Sequence, residues 1–231
     1  MSKLPSLLLI LALACAASAE DLISFNTVFL DSTGKISFTY PTALHNPKAL
    51  HELQRNFIKQ KFGEKYLGQE PAAALSHYKS QNEGLDRLSD AVSFPMPGIV
   101  QYVSSYYVIP AGSTQGVQGS NSGIYTIADG KKIELSSIFN RNWEKDIVKL
   151  IVKEFLLSQN LHILANYAHT QKESDFTPEQ VKISEYGGLD FVYPSNKIAP
   201  YSAGEQTIFL SWNTLKLYLN KRSAIYKRLQ F

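Results

Sequence analysis

The chain begins its patterned region with two short segments in which apolar and polar residues alternate. Residues 23–30 and 35–40 carry this pattern, and the turn-forming sequence DSTG at 31–34 separates them. A period of two is typical of strands that bury one face, and short polar residues with glycine tolerate the backbone angles of a tight turn. The pattern therefore predicts a β-hairpin.

The next pattern has the period of an α-helix. Apolar residues recur three and four positions apart from Leu50 to Phe62, and Asn46 and Pro47 stand just before them. Proline suits the first position of a helix, and asparagine is a good N-cap. We therefore expect a helix over 47–62 whose apolar side packs on the hairpin.

The segment after this helix is polar and rich in turn-forming residues. Apart from a short helix at 72–79, residues 63–90 show no sustained pattern and are expected to form a mobile excursion. Residues 99–109 are rich in β-branched and aromatic side chains, which favour a long strand. The small residues at 111–123 favour a loop after it.

The middle of the chain predicts a second hairpin and a strong helix. Aspartate and glycine at 129–130 mark the hairpin turn between strands at 124–128 and 132–135, and a helical turn is expected at 136–139. In the helix that follows, large apolar residues stand four positions apart, at Trp143, Ile147, Ile151 and Phe155. Such a stripe is typical of a helix that packs on a sheet.

The last quarter predicts three strands and a short helix. Strands at 181–184 and 189–193 are joined by a Gly-Gly reversal, and a strand at 206–210 leads into a helix that Ser211 caps. In the turn between the last two strands, Pro194 and Pro200 each fix φ, and Gly204 can adopt angles that are closed to other residues. Ile198 and Tyr201 are expected to point inward and hold this turn in place. The order of elements lacks the regularity of βαβ units.

The first nineteen residues divide as export signals do. Lys3 supplies a positive charge, residues 7–14 are all apolar, and Ala17 and Ala19 provide the small side chains of a cleavage site. An apolar run of this length spans only about 12 Å as a helix, which is too short for a membrane anchor. We therefore expect residues 1–19 to be a signal peptide and the mature protein to be periplasmic or extracellular.

Cys15 leaves a second form of export open. The sequence ALAC at 12–15 also resembles a bacterial lipobox, and lipidation of its cysteine would tether the protein to a membrane. Cys15 is the only cysteine of the chain. Cleavage after Ala19 would therefore leave the mature protein without disulfides, thiol nucleophiles or Cys-based zinc sites.

Charge and motifs exclude several classes of function. The formal net charge is +3 at pH 7, and the two signs are interleaved, so we expect no nucleic acid as a partner. None of the five histidines forms a metal-binding pair on one helical face, and no nucleophile-elbow or phosphate-loop motif occurs. We therefore expect no metal and no cofactor.

Two residue types remain as candidates for function. The chain has 13 tyrosines, and we expect four of them to form a ligand-binding face: Tyr102, Tyr106, Tyr193 and Tyr201. Packing in the core and sheets is the alternative role for these four. Carboxylates concentrate in the C-terminal third, at Asp175, Glu179, Glu185, Asp190 and Glu205. A pair of them at a suitable distance could hydrolyse a glycoside, and a solvated surface is the alternative role.

Three segments carry a resemblance to a known family. They are DGKKIELSSIF at 129–139, LDFVY at 189–193 and KIAPYSAG at 197–204. These motifs resemble an exported domain shared by RsiV-type anti-sigma factor ectodomains and PdaC-type peptidoglycan deacetylases. The match covers about half of the chain, and residues 23–109 are similar in layout to the smaller domain that usually precedes it.

The chain also departs from that family. Members often carry a Gly-Gly-Ala-His segment after the long strand, whereas this chain has Ala111 to Thr114 there without a histidine. Lys197 stands where an acidic residue is common. Neither the deacetylase catalytic domain nor the sigma-binding segment with its membrane helix is found, so any role of those parts does not transfer.

The resemblance implies an α+β fold with antiparallel or mixed sheets, helices packed on one face and two intimately packed subdomains. It places them at 20–109 (PdaC-like) and 110–231 (RsiV-like), in a bacterial cell-envelope setting. We expect a module without catalysis of its own that binds peptidoglycan-type glycan or a protein such as lysozyme. The alternative is a hydrolase of envelope polysaccharide. Asp190 or Glu205 in a pocket beside another carboxylate would favour the enzyme, and a shallow face of exposed tyrosines would favour binding.

Overall fold

The structure is a computed structural model, and it describes residues 22–158 and 172–229. The predicted signal peptide, Cys15 and two of the histidines lie outside these residues. The described chain is an α+β protein with three antiparallel sheets. Its strands are β1 (Ile23–Phe29), β2 (Ser37–Leu44), β3 (Leu85–Met96), β4 (Ile99–Val108), β5 (Val117–Thr126), β6 (Gln180–Ser184), β7 (Gly188–Tyr193) and β8 (Gln206–Ser211). Its α-helices are α1 (Pro47–Phe62), α2 (Pro71–Ser80), α3 (Leu135–Ile138), α4 (Trp143–Ser158) and α5 (Trp212–Leu215).

The first hairpin and the first helix form as the sequence predicts. β1 and β2 pair antiparallel, and α1 packs against β2. Asn46 Oδ1 accepts hydrogen bonds from the backbone N–H groups of Lys48 (3.0 Å) and Ala49 (3.3 Å), which satisfies two donors of the first helical turn. Gly63 ends the helix with a φ of +96°, a value that glycine adopts without strain.

The strand β3 begins inside the segment that we expected to be a mobile excursion, and that expectation is wrong for residues 85–90. Leu85 and Leu88 are both buried, although they stand three positions apart. The pairing with β4 shifts register between Leu85 and Arg87, and such a bulge turns successive side chains off the simple two-residue alternation. The sequence of β3 therefore lacks the regular alternation of apolar and polar residues by which strands are recognised.

The strand β5 also corrects the sequence analysis, because it begins seven residues before the strand predicted at 124. A Cβ at Gly119 would lie 2.4 Å from the Tyr106 Oη, and one at Gly123 would lie 2.2 Å from the Tyr125 Oη. These glycines make room for tyrosine rings and do not mark a loop. The chain does reverse at Gly130, but the strand predicted at 132–135 is reduced to one bridge between Tyr125 and Lys132 before α3.

The C-terminal elements follow the prediction closely. β6, β7 and β8 form one antiparallel sheet, and α4 lays its four large apolar residues on the core. Ile198 is buried as expected. Tyr201 does not point inward, because its side chain is 45% exposed in a single turn of 3₁₀-helix. In the described ranges, no helix is long and apolar enough to cross a membrane.

The central sheet β3-β4-β5 has a hydrophobic core on each face. Alternate residues of β4 point to opposite faces of the sheet. Val100 and Tyr102 lie in the core with α1 and the hairpin, and Ile99 lies in the core with α4 and the C-terminal sheet. The division after residue 109 stays a prediction. The strands on either side of it, β4 and β5, are paired along their length in this one sheet.

Side chains of the central sheet hold the edge of the C-terminal sheet. The Gln101 amide accepts from the Ile183 N–H (2.6 Å) and donates to the Ile183 carbonyl (3.3 Å). Ser122 Oγ donates to the Val181 carbonyl at 3.0 Å. Ile183 and Val181 belong to β6, which is an edge strand of the C-terminal sheet. Their backbone polar groups could otherwise pair with a strand of another chain, but here they form hydrogen bonds inside the protein.

A buried ion pair lies within the N-terminal core. Lys61 Nζ is 2.6 Å from Asp90 Oδ1, and both side chains are fully buried. The same carboxylate accepts hydrogen bonds from the Tyr102 hydroxyl (2.9 Å) and the Thr39 backbone N–H (2.7 Å). Burial lowers the pKa of Lys61 to about 8, although the charge of Asp90 opposes this. The pair therefore joins α1, β2, β3 and β4 at a cost in desolvation.

Candidate functional site

A groove of about 480 Å³ lies where the end of β3 faces the turn between β6 and β7. One wall comes from residues 93–96 and from Gln101 of β4. The other wall comes from residues 182–187, Asp190 and the first residue of α5. The groove thus forms between the central sheet and the C-terminal sheet, and neither sheet alone would build it.

Aromatic side chains line the groove. Tyr186 is 79% exposed, and Trp212 is half-buried at the start of α5. Phe94 also lines the groove, but its ring packs edge to face on Phe25 of β1, with the centroids 6.1 Å apart. Tyr186 also contacts Phe209 edge to face, with the ring centroids 6.4 Å apart. Exposed rings of this size around a concave surface are unusual unless they contact a ligand or partner.

The Gly187-Gly188 reversal determines where two of these rings lie. Gly187 has a φ of +80°, so the chain turns sharply directly after Tyr186. A Cβ at Gly188 would lie 2.2 Å from the Leu210 carbonyl oxygen, so only glycine fits against β8 at this position. The Trp212 N–H donates to the Gly187 carbonyl at 3.0 Å, which fixes the start of α5 next to the turn.

Charged groups also line the groove. Asp190 pairs across the sheet with Lys182 on β6 and with Phe209 on β8. Burial raises the pKa of Asp190 and the charge of nearby Glu185 adds to this, while a hydrogen bond from Ser184 and the charge of Lys182 act in the opposite direction. Asp190 is therefore a carboxyl group that gains a proton more readily than an exposed aspartate.

Of the five carboxylates that the sequence singled out, only Glu185 and Asp190 line the groove. Glu205 instead accepts hydrogen bonds from the Ser120 N–H and Oγ, at 2.8 Å each, and lies 3.8 Å from Lys182. Glu179 forms an ion pair with Lys197. These acids are close together in the sequence, and the fold places them in different surroundings.

The four tyrosines expected to form a binding face do not come together. Tyr102 and Tyr193 are fully buried, and their hydroxyls donate to Asp90 (2.9 Å) and to the Phe176 carbonyl (2.6 Å). Both therefore pack in the cores and cannot form an exposed face. Tyr106 is partly buried against the N-terminal core, and Tyr201 is exposed in the C-terminal turn. A binding role for these last two stays a prediction.

The sequence analysis did not single out the aromatic residues that line the groove. Tyr186 directly precedes the Gly-Gly reversal, and an aromatic residue before such a turn is the signal that could have drawn attention to it. Phe94 lies in the part of β3 that carries no clear pattern. No group of three His, Cys, Asp or Glu side chains suited to a metal ion occurs in residues 22–158 and 172–229.

Comparisons with known proteins give a likeness in fold. No family model matches the chain, and no curated protein matches it. A solved member of the DUF3298 family from Bacteroides fragilis NCTC 9343 is 16% identical, with a TM-score of 0.73 over 89% of this chain and 96% of that one. A DUF3298 family protein from Pseudomonas aeruginosa PAO1 is 20% identical, with a TM-score of 0.57 over 86% and 92% of the two chains. The chain therefore has the fold of DUF3298 family structures.

Proposed function

We propose that the protein is an exported module of the bacterial cell envelope that binds peptidoglycan-type glycan in the groove between the central and C-terminal sheets. Export is supported by the leader pattern of residues 1–19. The envelope setting is supported by the motifs that resemble RsiV-type and PdaC-type proteins. The observation that carries the proposal is the pair of aromatic residues Tyr186 and Trp212 beside polar side chains in the lining of the groove.

This combination suits a sugar chain. The faces of sugar rings are apolar and can lie on aromatic rings, while their hydroxyl and acetamido groups need hydrogen-bonding partners. Lys182 and Asp190 contribute an ammonium group and a carboxyl group to the lining of the groove. A volume of about 480 Å³ is in the range of small-molecule pockets and suits a short glycan segment.

A folded protein such as lysozyme is the other partner that the sequence allowed, and the groove favours glycan over it. Stable protein interfaces bury roughly 800 Å² on each partner and need a broad complementary surface. The exposed rings gather around one concave feature, and Tyr201 lies outside its lining. Binding of lysozyme in place of glycan is an outcome that the following test can detect.

Isothermal titration calorimetry with soluble peptidoglycan glycan fragments, and in a separate titration with lysozyme, tests the proposal. Because Tyr186 is 79% exposed, Tyr186→Ala should leave the fold intact and lower the affinity at least about tenfold. Tyr201→Ala is the matched control, since it removes another exposed tyrosine that does not line the groove. The proposal is wrong if no fragment binds, if the Tyr186 variant binds fragments as the wild type does, or if lysozyme alone binds.

One observation favours a second candidate, a glycoside hydrolase. Asp190 has a raised pKa and shares the groove with Glu185, which is exposed to solvent. A protonated carboxyl could donate its proton to the glycosidic oxygen while the other carboxylate assists attack by water, which cleaves the C–O bond. Release of reducing ends from peptidoglycan, abolished by Asp190→Asn, would establish this activity. Binding without any release would leave only the binding module.

A further inference from the structure

The last part of the chain is an exception to the mixing of charges along the sequence. Residues 206–231 contain three lysines, two arginines and no aspartate or glutamate, which gives them a net charge of +5. The whole chain has a formal net charge of +3, so residues 1–205 together carry −2. A segment of one sign attracts a partner of the other sign more strongly than the total charge of the chain suggests.

The fold holds this segment firmly against the C-terminal core. Three buried residues anchor it at intervals of four positions: Leu215, Leu219 and Ser223. Its backbone also pairs with the segment before α4, because the Asn140 N–H donates to the Tyr218 carbonyl and the Asn220 N–H donates to the Ile138 carbonyl, both at 2.8 Å. The charges are therefore carried by a fixed backbone and not by a loose tail.

Two tight turns lie between these anchors. The Tyr218 N–H donates to the Leu215 carbonyl at 2.8 Å, and the Ser223 N–H donates to the Asn220 carbonyl at 2.9 Å. Each of these bonds closes a turn of four residues. The central residues of the two turns are all exposed, and we call them the basic turn surface: Lys216, Leu217, Lys221 and Arg222. Four residues of chain span at most about 14 Å, so the two turns are close neighbours.

The charges of Lys221 and Arg222 are not neutralised within the protein. Across residues 22–158 and 172–229, neither side chain forms an ion pair with a carboxylate. Arg228 differs, because its guanidinium donates to the Pro97 carbonyl (2.5 Å) and to the Ala224 carbonyl (2.7 Å). Arg228 thus holds the turn between β3 and β4, while the basic turn surface is left to face an outside partner.

Leu217 indicates which kind of anionic partner this is. Its side chain is 83% exposed, although the Asn140 amide donates to its carbonyl and helps to fix its backbone. An exposed apolar side chain among basic ones is typical of surfaces that lie on a lipid bilayer, where cations meet phosphate groups and the apolar group enters the acyl boundary. A soluble anionic polymer would meet the cations but would offer nothing apolar to the leucine.

We propose that the basic turn surface docks the protein on an anionic lipid bilayer, with its cations at the phosphate groups and Leu217 in the acyl boundary. Each basic residue near such a surface raises the affinity about fivefold, and burial of one leucine raises it about tenfold. The binding is reversible and weakens in salt. None of the four residues lines the glycan groove, so either proposal can fail without the other.

Vesicle sedimentation tests the proposal with residues 20–231, the expected mature chain, in about 50 mM salt. The protein should sediment with vesicles of phosphatidylglycerol and phosphatidylcholine in equal parts but not with phosphatidylcholine alone, and about 0.5 M salt should release it. Changing Lys221→Glu and Arg222→Glu together should lower the affinity at least about 25-fold, and Leu217→Ser should lower it about tenfold.

Lys35→Glu with Lys48→Glu is the matched control. It makes the same change of net charge at two exposed lysines of the N-terminal hairpin and α1, and it should alter the affinity by less than about threefold. Because all the changed side chains are exposed, each variant should keep the Tm of the wild type.

The titration also has outcomes that overturn the proposal. They are that anionic vesicles do not bind, that phosphatidylcholine vesicles bind equally, that the control loses as much affinity as the double change in the turn, and that Leu217→Ser binds as the wild type does. Soluble polyphosphate that binds as tightly as the vesicles do would overturn it as well, in favour of an anionic polymer as the partner.

Discussion

The buried pair of Lys61 and Asp90 makes a prediction whose size and pH dependence both follow from the structure. We consider the change Asp90→Asn, which keeps the size of the side chain and deletes its charge. The variant leaves the Lys61 ammonium buried without a counter-charge, since both side chains are fully buried in the wild type. Removing one partner of a buried ion pair costs about 3–5 kcal/mol.

The pH dependence comes from the lowered pKa of Lys61. Its pKa falls from 10.5 to about 8 in the folded protein, which corresponds to about 3 kcal/mol of destabilisation at neutral pH. Between these two values the unfolded chain holds a proton that the folded chain has released, so the free energy of unfolding rises with pH. Without Asp90 the pKa of Lys61 falls further, and the rise begins below pH 8.

Urea unfolding at pH 7 and pH 9.5 measures both effects. We expect Asp90→Asn to lose about 3–5 kcal/mol at pH 7 and about 1 kcal/mol less than that at pH 9.5. Asp86→Asn is the control, because this aspartate lies on the same strand in an exposed pair with Arg87 and should cost under about 0.5 kcal/mol. A loss below about 1 kcal/mol at pH 7, or an equal loss at both pH values, would refute the reasoning.

Three further variants test contacts of the C-terminal sheet. Gln101→Leu should destabilise the protein by about 1–3 kcal/mol in urea unfolding, because the buried Ile183 N–H and carbonyl lose their partner; no loss would mean that the two sheets do not depend on it. Gly188→Ala should cost about 3 kcal/mol or more, since its Cβ meets the Leu210 carbonyl, and a well-folded variant of unchanged Tm would contradict this contact. Tyr193→Phe should cost about 1 kcal/mol by the same measurement, through loss of the bond to the Phe176 carbonyl, and a neutral result would count against that bond.

The sequence predicted those elements whose hydrophobic pattern is regular. The helix capped by Asn46, the long strand β4 and the helix that begins at Trp143 all form as expected. β3 was missed because a bulge and polar side chains hide its alternation. The start of β5 was missed because its glycines and serines look like a loop, while in the fold they accommodate tyrosine rings and bind the neighbouring sheet.

The candidate site was less accessible to sequence reasoning for a physical reason. The groove forms between two sheets whose residues are far apart in the chain, and only tertiary packing brings Phe94 to Tyr186. The number of tyrosines suggested an aromatic surface, but only exposed rings can contact a ligand. Tyr102 and Tyr193 are buried in the two cores. Glu185 and Asp190 were both singled out from the sequence, and both line the groove.

The most direct test of the central claim is chemical-shift mapping of the ¹⁵N-labelled protein during titration with soluble peptidoglycan glycan fragments. If glycan binds in the groove, the largest changes occur at the backbone amides of Tyr186 and Gly187 and at the indole N–H of Trp212, which lie around the groove. Changes centred on Tyr201, or an unchanged spectrum at saturating fragment, would mean that the groove is not the glycan site.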